Sequence, residues 1–372
     1  MTYDWTIKDK SKNLGTKDIR YATAFSGAGG ASMGMQYLLG WQNVFCNEID
    51  KKQLKLYKAN LHTEYVFDIP IQELTEKIKN KDISKYVIDD ITDLDVLQLS
   101  PICSVFSVAN LNADKLKGVE STIRESDGLS QVVDDLIFEG IKLVKEIKPK
   151  VVIIENVKNM LAKKNKPYVD KATELLNDLG YQVRYDVIRG IDIGLPQKRE
   201  RLFITAVRND LNVDVNDIDF SANEPLIPVK DIKFTDRPKP LTPKLRELVP
   251  YYQNGDLDCG KINERHFGKR ANFSYNFIRP TDAINTLTTK ARSSTVVENG
   301  VNPLGEIIEC RDGVTRTFIP LTPQQEIQAQ SFPLDYDFQG LNHLYAVGMA
   351  VPPLMMAFVA KRISDVVFPD KV

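Results

Sequence analysis

Between residues 18 and about 208, short apolar runs alternate with stretches whose apolar positions recur with helical spacing. That rhythm predicts a parallel sheet covered by helices on both faces. Strands are predicted at 19–25, 41–47, 96–99, 151–155, 181–187 and 201–207, and helices at 131–147 and 169–179. The last two strands follow one another across the turn RGIDIGLPQK, so one of them should run antiparallel. After about Asn209 the rhythm fades and prolines cluster at 225, 228, 238, 240, 243 and 250. A smaller, loop-rich domain is predicted over 209–315, inserted between a first domain (1–208) and a closing segment (316–372). In that segment 321–330 and 352–367 read as helices, and the last should pack back on the first domain.

Composition adds exclusions. With 372 residues, 42% apolar and 27% charged, the chain is neither disordered, collagen-like nor a disulfide scaffold. Lys+Arg (49) and Asp+Glu (50) nearly cancel, so a nucleic-acid partner would have to meet a local basic face. The cysteines, Cys46, Cys103, Cys259 and Cys310, have no CxxC spacing, which points away from a metal site and towards a reducing compartment. The beginning, MTYDWTIKDKSKNL, lacks the apolar core of a signal peptide. The uncharged run 344–360 is short for a bilayer and broken by Pro352-Pro353, so no membrane span is expected. These features fit a soluble, cytoplasmic protein.

Candidate chemistry begins at Phe25-Ser26-Gly27-Ala28-Gly29-Gly30, where the first strand meets a helix. Glycines there let a ligand approach backbone N–H groups at a helix start. Glu48 stands 19 residues past Gly29, at the end of the next strand, where a carboxylate can accept ribose hydroxyls. The pair suits an adenosine-containing cofactor without separating NAD from S-adenosylmethionine. Ser32 occupies the third glycine position of GxGxxG, and a tight turn without a ligand reads the same way.

The segment Ser100-Pro101-Ile102-Cys103-Ser104-Val105-Phe106-Ser107 places a thiol at the carboxyl end of a central strand, followed by a polar stretch (110–127) suited to a lid. A free cysteine alone is more often a small core filler. Here Glu155, after the apolar run VVII, brings a carboxyl to the same sheet edge, and buried carboxylates need partners. Period-two alternation also puts Gln197, Arg199 and Arg201 on one face. A thiol, a carboxyl and arginines converging suggest covalent chemistry on an electron-poor ring. In the small domain, Lys261, Arg265, Lys269, Arg270 and Arg279 interleave with Phe267, Phe273, Tyr275 and Phe277. The charges suit a nucleic-acid groove, whereas the aromatics read better as packing inward.

In motif order over nearly the whole chain, these residues resemble the DNA (cytosine-5) methyltransferase family. FSGAGG resembles its first cofactor motif, NEID with Glu48 and Ile49 its second, and Asp90-Ile91 in DDITDLD the position that reads the adenine amino group. SPICSVFS resembles the catalytic loop, ENVKNM the Glu-Asn-Val motif and PQKRER the Gln-x-Arg-x-Arg motif. Thr286-Leu287-Thr288 resembles the motif closing the target-recognition region, and LTPQQEIQAQSFPLDY with AVGMAVPP the C-terminal motif. Ile102, Ser104, Gln324 and Met349 depart from the usual proline, glutamine, arginine and asparagine.

The resemblance implies a Rossmann-like, mostly parallel S-adenosylmethionine-dependent methyltransferase sheet, with the small domain reading the target. Phe25, Ser26, Gly27, Gly29, Gly30, Glu48, Ile49, Asp90 and Ile91 would hold the cofactor. Cys103 would add to cytosine C6, Glu155 would hold N3 and the exocyclic amine, Arg201 the O2 side, and Arg199 would support the loop and the flipped base. No metal is implied. The expected partner of a monomeric enzyme is double-stranded DNA, with a cognate restriction endonuclease as a further candidate. Alternatives are a tRNA cytosine-5 methyltransferase, disfavoured because its Cys-Phe-Thr signature is missing, an NAD-dependent oxidoreductase, and a catalytically dead DNA-binding relative.

Overall fold

A computed structural model describes residues 1–102, 123–126, 129–132, 136–268, 275–289 and 294–371. Its centre is a seven-stranded sheet in the order β3-β2-β1-β4-β7-β9-β8. The strands are β1 (Arg20–Ala24), β2 (Gln42–Asn47), β3 (Tyr65–Phe67), β4 (Val96–Leu99), β7 (Val151–Val157), β8 (Tyr181–Arg189) and β9 (Glu200–Arg208). A hairpin of β5 (Ile123–Ser126) and β6 (Leu129–Val132) lies between β4 and β7 in the chain.

The continuous apolar runs fill two cores at once. Val152 and Ile154 of β7 join one buried cluster and Val151 and Ile153 the other, because successive side chains leave a strand on opposite faces. The first face is covered by helices Ile71–Lys79, Leu136–Ile147 and Lys166–Asp178 through Leu74, Ile78, Leu143, Val144, Val169 and Leu176. The second is covered by the segment 30–38 and by helix Pro353–Val367, whose Leu354, Met355, Val359 and Ile363 complete that core. The final helix thus packs back on the first sheet, as its apolar stripe predicts.

Strand β9 is antiparallel to both β7 and β8, while β1, β2, β3, β4 and β7 are mutually parallel. This reversal brings the beginning of β9 to the edge where the parallel strands end. Two elements differ from the sequence reading. Strand β3 was not anticipated, since three half-buried residues carry too short a pattern. The helix expected from Gln131 is described only from Leu136, because Gln131 and Val132 instead pair with Arg124 and Ile123 in the hairpin.

A second sheet, β10-β11-β13-β12, is built from β10 (Phe277–Ile278), β11 (Thr295–Asn299), β12 (Glu306–Glu309) and β13 (Thr315–Pro320). Tyr252, Phe277 and Phe318 pack edge to face beneath it, at 5.0 to 6.0 Å between centroids. Leu245, Leu248, Cys259 and Ile262 complete this core. Among the described residues no helix is long and apolar enough to cross a membrane.

Candidate active site

The carboxyl ends of β1, β2, β4 and β7, the start of β9 and two later loops enclose a cavity of about 1030 Å³. Phe25, Ser26, Gly27 and Gly30 line one end. Phe25 and Gly27 both adopt left-handed backbone (φ 56° and 54°), which for a phenylalanine is strained and marks a built turn. Ser26 fastens it by donating to the carbonyls of Thr23 (3.0 Å) and Asn47 (3.1 Å). Gly29, also left-handed (φ 84°), caps the helix that follows, outside the lining. A Cβ on Gly30 would stand 2.2 Å from the Val351 carbonyl oxygen, so only glycine lets the loop meet the C-terminal segment.

Glu48 follows β2 directly and lines the same end with Ile49. Its carboxylate accepts the Gly27 and Asp50 N–H groups, each at 2.8 Å, which ties the glycine loop to the second strand. Asp90 and Ile91 lie elsewhere. They belong to helix Lys85–Thr92, where Asp90 pairs with Arg20 and Ile91 is fully buried in the first core. The residues at the comparable strand end are Asp68 and Ile69, directly after β3. Ile69 lines the cavity and Asp68 is exposed. Sequence reasoning missed them because it missed β3; the signal was the tetrapeptide Phe67-Asp68-Ile69-Pro70.

At the other end, Glu155 and Arg201 face each other, with Arg201 Nε 3.0 Å from Glu155 Oε1. Their strands set this up. Val157 is opposite Arg201 and Glu155 opposite Phe203, so the two side chains are diagonal neighbours across the ladder. Both are nearly buried, which strengthens the pair relative to a surface ion pair. Asn156 Nδ2 donates to the Pro101 carbonyl (3.2 Å), fastening the approach to the cysteine loop beside them. Cys103 itself, with 104–107 and most of 110–127, lies outside the described residues, as do Lys269, Arg270 and Phe273.

Of the three side chains expected on one face, only Arg201 lines the cavity. Gln197 and Arg199 are buried behind it and hold the backbone of one residue, Leu287, at both its N–H and its carbonyl. Leu287 N–H donates to Gln197 Oε1 (3.0 Å), and Arg199 Nη1 donates to the Leu287 carbonyl (3.1 Å). Arg199 Nη2 reaches the Ala350 carbonyl at 2.9 Å. Arg199 is therefore a tie between two cavity walls, not a group presented to a bound base. Met349 sits in the wall, 47% exposed, and Gln324 pairs with Thr235 through its amide (2.8 Å from Oε1 to the Thr235 nitrogen). Ile102 also lines the cavity, and Ser104 lies outside the described residues.

In the small domain, 259–267 forms a helix; Tyr275 and Phe277 are buried and Phe267 is 58% exposed. Arg265 is bound to Asp256 (2.8 Å) and Arg279 to Asp282 (3.3 Å), so these two charges are engaged within the protein. Cys46 and Cys259 are buried, and burial pushes each thiol up to about 12, which leaves both inert as nucleophiles at neutral pH. Among the described residues no cluster could hold a metal ion.

The fold is shared with solved methyltransferases. S. pombe Dnmt2 superposes with a TM-score of 0.59 at 14% identity, covering 95% of this chain and 100% of that one. The EhMeth methyltransferase of Entamoeba histolytica gives 0.58 at 14% identity, covering 94% and 99%. Residues 19–365 match the family model of C-5 cytosine-specific DNA methylases, and the chain belongs to that family. The type II methyltransferase M.Bsp6I of Bacillus sp. (strain RFL6) is 32% identical over 192 residues, 51% of this chain and 53% of that protein. M.HhaI of Haemophilus parahaemolyticus is 32% identical over 207 residues, 56% of this chain and 53% of its own length. The orphan methyltransferase M.SPBetaI of Bacillus phage SPbeta is 29% identical over 215 residues. The matched stretch spans about half the length of these curated relatives. Family membership leaves the NAD-dependent alternative without support.

Proposed function

We propose that this protein transfers the methyl group of S-adenosylmethionine to C5 of a cytosine flipped out of double-stranded DNA. The observation that carries the reading is one cavity with the Glu155–Arg201 pair at one end and the glycine loop with Glu48 at the other. The walls suit a polar ligand: besides Glu48 they hold the buried Gln98 Oε1 and the Gln53 amide, which have no hydrogen-bond partner among the described residues. When bound, the cofactor supplies an electrophilic methyl group on a sulfonium, which needs no metal.

The protein's groups divide the remaining work. Cytosine C5 becomes nucleophilic only after a soft nucleophile adds at C6, the role assigned to Cys103. Glu155 hydrogen-bonds N3 and the exocyclic amine and gives N3 a proton as charge develops. Arg201 holds the Glu155 carboxylate in place and binds O2. After methylation a base removes the C5 proton, the Cys103 sulfur–C6 bond breaks to restore the thiolate, and N3 returns its proton to Glu155. Ile69 packs against the adenine and Asp68 accepts its amino group, in place of Ile91 and Asp90. A stacked base cannot reach these groups, so the target must leave the duplex.

Residues 209–315 form the proposed target-recognition unit, its end moved to 320 because β13 runs to Pro320. Action as a cytoplasmic monomer, beside a restriction endonuclease or as an orphan enzyme, completes the reading. Bisulfite sequencing of a plasmid from an expressing host that lacks cytosine methylation should reveal the methylated site. A duplex with 5-fluorocytosine at that site should then trap the protein as a denaturant-resistant adduct that needs S-adenosylmethionine. Cys103→Ser should abolish trapping, and an adduct mapped to Cys46, Cys259 or Cys310 overturns the mechanism.

A further inference from the structure

One polar side chain in the cavity wall has no partner within the described protein. Gln53 is the third residue of helix Lys51–Asn60, lines the cavity beside Glu48, Ile49 and Asp50, and is 3% exposed. Neither its Oε1 nor its Nε2 meets a hydrogen-bond partner. A buried amide left in this way disfavours folding, whereas an apolar residue of equal size would not. Nearby polar groups are engaged: Asp50 caps the helix by accepting the Lys52 and Gln53 N–H groups, and Glu48 accepts those of Gly27 and Asp50. The Gln53 amide is the exception, and its residue belongs to the wall of the space where a ligand fits.

Helical side chains lean towards the amino end of their helix, which here means towards Asp50 and the neighbouring Glu48. A primary amide carries an acceptor and two donors side by side, while a carboxylate only accepts. A vicinal diol complements that combination, because each hydroxyl both donates and accepts. We propose that Gln53 is a second ribose-binding residue, its amide hydrogen-bonding the 2′,3′-diol of S-adenosylmethionine alongside Glu48. This assignment rests on the cofactor reading above.

Calorimetric titration of the full chain with S-adenosylhomocysteine and with its 2′,3′-dideoxy analogue tests it. Gln53→Met, of similar volume, should weaken binding of the diol ligand by about tenfold and leave the dideoxy analogue unchanged. The melting temperature of the ligand-free variant should hold or rise, since no polar atom remains orphaned. Equal loss for both ligands, or no loss for the diol ligand, overturns the role of Gln53 alone. Wild-type protein that fails to bind S-adenosylhomocysteine overturns the cofactor reading as well. Gln53→Glu keeps the shape and one acceptor; should the methionine variant not fold, selective loss of the diol ligand in the glutamate variant supports the assignment and unselective loss refutes it.

Discussion

Arg201 Nε sits 3.0 Å from Glu155 Oε1 because β9 runs against β7 and begins where β7 ends. In an all-parallel sheet the start of the last strand would lie at the opposite edge. The antiparallel reversal is thus what assembles the Glu155–Arg201 end of the cavity. Arg201→Ala leaves the Glu155 carboxylate nearly buried without its cation. Methyl transfer, followed with tritiated S-adenosylmethionine, should fall by roughly 100-fold or more while cofactor affinity is kept. Arg201→Lys should rescue only part, since an ammonium cannot present the planar fork. Unchanged turnover in the alanine variant would take Arg201 out of the site.

Asp68 and Asp90 make a matched pair of variants. Asp68→Ala should weaken S-adenosylhomocysteine binding by about 1–3 kcal/mol, as expected for a lost hydrogen bond to a charged acceptor. Asp90→Ala should leave it unchanged, because that carboxylate pairs with Arg20 and does not line the cavity. Calorimetry giving the reverse order would restore Asp90 to the cofactor site.

Arg199 is fully buried, and bonds from its Nη1 and Nη2 hold Leu287 and Ala350, which come from the loop before β11 and from the C-terminal segment. Arg199→Met should orphan both carbonyls and destabilise the fold by about 3 kcal/mol in urea unfolding. Since Arg199 itself does not line the cavity, turnover per folded molecule should drop far less than in Arg201→Ala. A variant as stable as wild type would show that the tie carries no energy.

Asp95 provides a pH-dependent prediction. Burial opposes its ionisation, yet hydrogen bonds from Lys150 (2.7 Å), the Arg20 N–H (2.9 Å) and Lys371 (2.9 Å) outweigh burial and hold the carboxyl below the usual range. A depressed pKa stabilises the folded state above the unfolded value, near pH 4, and the contribution disappears as pH falls through the folded value. Asp95→Asn should therefore destabilise the protein by about 2 kcal/mol at pH 7 and by progressively less below about pH 4. Equal destabilisation at pH 7 and pH 3 would show that packing, not charge, is responsible.

The residue pattern by itself determined most of the frame. Short runs such as VVII, apolar at every position and β-branched, fit strands buried on both faces, and they placed the central sheet correctly. Glycines before a helix and an acid after the next strand located the glycine loop and Glu48, because local turn chemistry demands those residues in that order. The alternation around Arg201 and the carboxyl after VVII likewise brought two side chains to one edge. Tertiary structure alone decided the rest. Strand β3 has three half-buried residues and exists by pairing with β2, so no local pattern announced it or the Asp68-Ile69 that follows. The resemblance settled instead on Asp90-Ile91, a similar dipeptide inside a helix. Period-two alternation could not separate Arg199 from Arg201, since which arginine is enclosed depends on Leu287 and Ala350, some 90 and 150 residues away in the chain. No local pattern singles out Gln53. Only the packing of its helix against the glycine loop made its amide a buried group without a partner among the described residues, because burial is a property of the neighbours a residue acquires on folding.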